Sequence, residues 1–186
     1  MHLLSPQTLE YILSDILEKS RYLPMAVIAG ILIGLCSMKF LGCNKRCLKC
    51  TLLIIYFIML SILTIFEREP GSRTKMCLTL LGTIGGPRDN SYVIENVLLF
   101  IPFGILAPWT WRLMRNPVIC TMFGFVLSST VEVIQLITER GYFQVDDILT
   151  NTIGTFLGSI IFWGGIYIFL GIRSLFHQQN NGKDGC

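Results

Sequence analysis

Seven polar residues crowd into one short region of an otherwise apolar chain: Glu132, Gln135, Glu139, Arg140, Asp146, Asp147 and Asn151. The carboxylates Glu132, Asp146 and Asp147 are of the type that holds a divalent cation through oxygen ligands, or that shares acid–base duty. Arg140 is the type that contacts an anionic group. Gln135 and Asn151, with Asn96 from further upstream, could order such a group by hydrogen bonds. The candidate binding set is therefore Asn96, Glu132, Gln135, Arg140, Asp147 and Asn151. If the protein is an enzyme, the candidate catalytic carboxylates are Glu132, Asp146 and Asp147. The only histidines are His2 and His177, outside this region. That excludes a His-nucleophile lipid phosphatase, and no Ser–His–Asp set can be assembled.

Each residue also has a plainer reading. Glu139 and Arg140 read as a solvated pair at a helix end. Asp146 reads as the cap of the following helix. Gln135 and Asn151 read as interhelical glue. Glu132 resists such a reading, because it lies almost two turns inside an apolar run. Insertion scales put a mid-membrane charge at roughly 2.5–3.5 kcal/mol, so Glu132 has to face the interior, be paired with a group such as Arg140, or be protonated.

The elements that position these residues must be membrane helices. The chain has 186 residues, of which 52% are hydrophobic and 15% charged; globular domains carry about 25% charged residues. A scattered net charge of +3 lacks the basic stripe of a nucleic-acid binder, so no nucleic-acid partner is expected. The fold class is all-α, a polytopic transmembrane bundle in a single domain over residues 1–186, with oligomeric state open. An amphipathic helix at about 5–20 opens on Ser5-Pro6 and lies in the membrane interface. Five spans follow at about 23–41, 50–66, 92–111, 118–138 and 148–170. The tail 177–186 is expected to be disordered. Lys and Arg in the short loops 42–49 and 112–117 favour a cytoplasmic C-terminus and an outside N-terminus.

At about 100° per residue, Ser128, Glu132, Gln135 and Glu139 fall on one stripe of the fourth span. Asp147, Asn151, Gly154 and Gly158 form a stripe on the fifth. The short link makes these spans antiparallel neighbours. The stripes are expected to face each other, with Gly154 and Gly158 letting the backbones approach. The third span starts at the same surface with Glu95 and Asn96, and Pro102 and Gly104 lie deeper. Three helices would then contribute to one outward-facing pocket.

The segment "ENVLLFIPFGILAP" (95–108) resembles the Asn-x-x-x-Phe-x-Pro-x-Gly segment of the VanZ-like membrane protein family, through Asn96, Phe100, Pro102 and Gly104. "SSTVEVIQLITERGYFQVDDILTNTIGTFLG" (128–158) is similar to that family's second block, through Glu132, Gln135, Arg140, Asp146, Asp147, Asn151 and Gly154. Gln144 departs from the pattern, standing where many members carry an acidic residue. The resemblance implies a polytopic bacterial cell-membrane protein. The family is named for a protein associated with reduced susceptibility to the glycopeptide teicoplanin.

Two functions follow as expectations. One is a non-catalytic protein whose pocket binds a membrane lipid headgroup, a lipid-linked envelope precursor or a lipoglycopeptide. The other is a carboxylate-dependent enzyme acting on lipid-linked substrates. No cofactor or resident metal is expected. The run "CNKRCLKC", with Cys43, Cys47 and Cys50, has zinc-like spacing without a fourth ligand; the cysteines read as incidental.

Overall fold

The computed structural model describes residues 3–41, 45–71, 76–80, 82 and 84–181, with side chains outside 37–47, 172 and 174–181. Cys43 and the side chain of Cys47 lie beyond these limits, so the zinc spacing falls outside the described residues; Cys50 is a free thiol.

Six helices follow in order: α1 (Pro6–Lys19), α2 (Leu23–Leu41), α3 (Lys45–Ser61), α4 (Pro87–Thr110), α5 (Pro117–Ile137) and α6 (Val145–Asn181). Among the described residues, five helical stretches are long and apolar enough to cross a membrane: Pro6–Cys36, Leu48–Phe66, Pro87–Thr110, Pro117–Ile137 and Val145–Gly171. The protein is a multi-pass, all-helical membrane protein.

Helix starts follow local chemistry. Ser5 accepts the Thr8 N–H at 3.1 Å, ahead of Pro6 at the first helical position. Asn116 accepts the Val118 N–H at 2.9 Å, ahead of Pro117. Proline suits that position because its missing N–H has no intrahelical partner there. Gly86-Pro87 does the same for α4, which therefore begins five residues before the expected 92. A 3-10 turn, Ser20–Tyr22, joins α1 to α2 without leaving helical backbone. The stretch Pro6–Cys36 is consequently continuous helix, in which the amphipathic α1 leads directly into the apolar α2. Its charged residues are confined to the α1 end and the turn.

At the far end, α6 is 37 residues long, about 55 Å at 1.5 Å per residue, against a hydrocarbon core of about 30 Å. It runs to Asn181, so the segment expected to be disordered from 177 is helical over its first five residues.

The core lies between α3, α4 and α5. Leu53, Tyr56 and Leu60 meet Phe100, Phe103 and Ala107, together with Cys120 and Val131. Cys120 is fully buried as a small apolar group. α6 packs most extensively against α4, then α5. The α4–α6 contact is parallel: a Cβ on Gly154 would strike the Val97 carbonyl, and one on Gly158 the Ile101 carbonyl. Gly104 would meet the Gly158 Cα at 2.8 Å. The small-residue seam therefore runs between α4 and α6, whereas the stripe geometry had paired those glycines with the preceding helix. Their stripe sits in the groove between two helices. Its Gly154 edge turns to α4, while Asn151 and Thr155 turn to α5. There Gly124 lies against the Thr155 side chain. Pro102 and Pro108 both sit inside a continuous α4; Pro102 is exposed and Pro108 buried.

Candidate functional site

Three contacts fix the register of α5 on α6. Gly124 faces Thr155, Asn151 Nδ2 donates to Ser128 Oγ at 2.9 Å, and one turn further the Glu132 carboxyl meets the field of Asp147. These pairs step by four residues in opposite directions, as antiparallel helices require. Ser128 and Glu132 of one sequence stripe do face Asn151 and Asp147 of the other. Glu132 is 2% exposed and Gln135 2%.

Glu132 Oε2 accepts the Gln144 N–H at 2.9 Å. Gln144 belongs to β2 (Phe143–Gln144), a two-residue strand in the α5–α6 link that pairs in parallel with β1 (Met76–Cys77). The link and the loop after α3 thus close over the loop-side end of Glu132. Asp147 is half-buried, and the Asn96 side chain arriving from α4 interacts with its carboxyl. Asn96 and its neighbour Glu95 part company, since successive helical residues point about 100° apart. Glu95 instead accepts from Lys19 Nζ of α1 at 3.0 Å. Beside it, Arg88 forms a two-point ion pair with Asp15 at 3.0 and 3.1 Å. These bonds tie α1 across the N-terminal part of α4.

Arg140 has a different position from the one its type suggested. Its Nη1 donates to the backbone carbonyls of Ile65 and Arg68, at 3.1 and 3.0 Å. α3 ends in a π-helical turn, Ile62–Phe66, which leaves carbonyls without the usual helical donor. Arg140 satisfies one carbonyl within this turn, Ile65 O, and one just after it, Arg68 O, and Gln135 Nε2 satisfies Thr64 O at 3.0 Å. Arg140 is thus joined to backbone rather than to Glu132. Its own backbone closes α5. The N–H of Glu139 bonds Leu136 O, and that of Arg140 bonds Gln135 O. Glu139 stands at φ 55° between them, a Schellman closure with glutamate where glycine is usual.

Among the described residues, the cation whose charge acts on the carboxylates, without an ion pair, is Arg68. Its guanidinium attracts both Glu132 and Asp147, and its Nη1 donates to Gln135 Oε1 at 3.3 Å. Sequence reasoning missed it because Arg68 was one of several cations in a long loop. It reaches Gln135 across 67 residues of chain, and only its place directly after the second span hinted at the same surface. Asp146, 5% exposed, lies in the first turn of α6 rather than at its cap. Among the described residues, no three His, Cys, Asp or Glu side chains converge to hold a metal ion. Glu132, Asp146 and Asp147 do not make a three-carboxylate cation site.

The arrangement can accept hydrogen bonds at two facing carboxyl groups and donate them from Arg68 and Asn96. A family model described as VanZ/LLP1 matches residues 50–170. The protein named Protein VanZ, from Enterococcus faecium, is 34% identical over 108 residues, covering 57% of this chain and 62% of that protein. The match thus spans less than two thirds of that relative's length. No solved structure matches this chain.

Proposed function

The chain belongs to the VanZ/LLP1 family, and from that premise we propose that it is a non-catalytic membrane protein binding a polar headgroup at its outer face. The bound molecule is an envelope lipid, a lipid-linked envelope precursor or a lipoglycopeptide, and the consequence is lowered susceptibility to teicoplanin-type glycopeptides. The observation that carries this reading is the meeting of Glu132 and Asp147 across α5 and α6, with Asn96 and Arg68 arriving from two other parts of the chain. Carboxyl groups buried in membrane-spanning helices are costly and need a use.

We place the N-terminus outside and the C-terminus in the cytoplasm. At the bundle end opposite the carboxylates, Lys49 donates to Trp109 O at 3.1 Å and Trp163 donates to Arg115 O at 2.9 Å. The tryptophans mark a membrane interface, and the short-loop cations favour the cytoplasmic one.

The test expresses wild type, Glu132→Gln and Asp147→Asn in a teicoplanin-susceptible host at matched membrane levels. Wild type is expected to raise the inhibitory concentration, and both variants to lose that protection. Full protection by both variants would sink the proposal.

A second reading is an enzyme on lipid-linked substrates, favoured by the same facing carboxyl pair as an acid–base couple. Incubating purified protein with envelope lipid intermediates tests it. Turnover that disappears in Asp147→Asn would support it, and no turnover would reject it.

A further inference from the structure

We infer that the outer site is built for a membrane lipid with a zwitterionic aminophosphate headgroup: the ammonium on Glu132, Asp147 and Asn151, the phosphate on Arg68, and one acyl chain along α3. This rests on the headgroup-binding reading above and names its ligand class.

The first support is a surplus of acceptors in the α5–α6 seam. One turn inward from Asp147, Asn151 is 4% exposed, and its Oδ1 has no hydrogen-bond partner among the described residues. Its Nδ2 is turned to Ser128, on the side of Glu132. Glu132, Asp147 and Asn151 therefore succeed one another as acceptors. A buried acceptor without a donor is costly. A primary ammonium brings three N–H donors and no acceptor, whereas a phosphate in the same place would be repelled by both carboxylates.

The second support is Arg68. Among the described residues its side-chain hydrogen bond is to the Gln135 amide oxygen alone, and no carboxylate lies within ion-pair distance of it. The neighbouring Glu67 faces Arg21 instead, at 3.6 Å. A half-buried guanidinium with remaining donors suits two-point contact with phosphate oxygens.

The third support is an apolar groove of about 330 Å³ lined by Ile54, Phe57, Ile58, Ser61, Ile62 and Phe66. It follows α3 into the π-helical turn and ends two residues before Arg68. From Ile54 to Phe66 the helix rises about 18 Å, comparable to one leaflet's share, about 15 Å, of the hydrocarbon core. An acyl chain in the groove would deliver its phosphate to Arg68, and the ammonium beyond it to the carboxyl groups. Charge order and groove together favour a membrane lipid over a soluble aminophosphate.

The experiment uses the full chain, purified and delipidated in detergent, titrated with phosphatidylethanolamine, phosphatidylglycerol or phosphatidylcholine and read by native mass spectrometry. Phosphatidylethanolamine is expected to be retained at roughly tenfold lower concentration than either other lipid. Phosphatidylcholine keeps the charge but lacks the N–H donors. Asp147→Asn should erase that preference, Arg68→Gln and the groove-filling Ile58→Trp should each weaken retention of all three lipids, and soluble glycerophosphoethanolamine should compete only weakly. Equal retention of phosphatidylglycerol overturns the ammonium assignment and leaves the headgroup reading standing. Strong competition by glycerophosphoethanolamine overturns the acyl groove. Absence of saturable retention of these lipids overturns the inference, and if a lipid-linked envelope precursor and teicoplanin also fail to bind, the headgroup reading falls with it. The lipid panel on wild type decides the matter even where a variant fails to fold.

Discussion

Replacing Gly158 by alanine should loosen the seam that sets α6 on α4. A Cβ there would strike the Ile101 carbonyl oxygen and stand 2.9 Å from the Gly104 Cα, about half an ångström short of ordinary contact at 3.4 Å. Both obstacles are backbone, so no side chain can rotate away and the helices themselves must part. Overpacking of this kind costs about 1–3 kcal/mol. Alanine in mid-helix returns about 0.5–1 kcal/mol relative to glycine, leaving a net loss of about 0–2.5 kcal/mol. Gly164 on the same helix is the matched control, because an added Cβ there meets nothing within 4 Å. Gly164→Ala should keep only the helix gain. Reversible unfolding in mixed micelles, followed by far-ultraviolet circular dichroism, should separate the two variants by about 1–3 kcal/mol, the overpacking cost itself. Equal stability of the two would refute the backbone-contact argument.

Three further expectations concern the outer end. Arg140→Ala removes two charge-assisted hydrogen bonds to the carbonyls of Ile65 and Arg68 and should destabilise by about 2–3 kcal/mol in thermal unfolding; an unchanged midpoint would mean the guanidinium is not holding the α3 end. Gln135→Leu leaves Thr64 O without its donor, at about 1–3 kcal/mol, and should speed amide hydrogen exchange across 62–68; wild-type exchange there would contradict the role given to Gln135. Glu139→Gly relieves a left-handed backbone at φ 55° and should stabilise by about 1 kcal/mol, unless the added freedom of the unfolded chain cancels the gain; a clear loss of stability would argue against strain there.

The class and the helices were legible along the chain because each rests on local information. Low charge with long apolar runs dictates membrane helices, and Ser5-Pro6 and Asn116-Pro117 announce helix starts through groups within a turn of each other. The antiparallel facing of Glu132 and Asp147 was legible too, since a link under ten residues leaves two helical stripes few other ways to pack. The start of α4 was within reach as well, through Gly86-Pro87, but the weaker hydropathy there drew the boundary to 92.

What only the tertiary structure decided is which polar group answers which. Arg140 is next to the carboxylates in sequence, yet it holds the irregular end of α3. Arg68 lies far from them in sequence and still supplies their nearby positive charge. The glycines of α6 keep their stripe but close on α4, not α5. The physical reason is common to all three. Helical periodicity fixes the direction of a side chain about its own axis, to within tens of degrees. The neighbour found in that direction depends on how three helices share one groove, and on carbonyls freed by a π-helical turn that no local sequence rule announces.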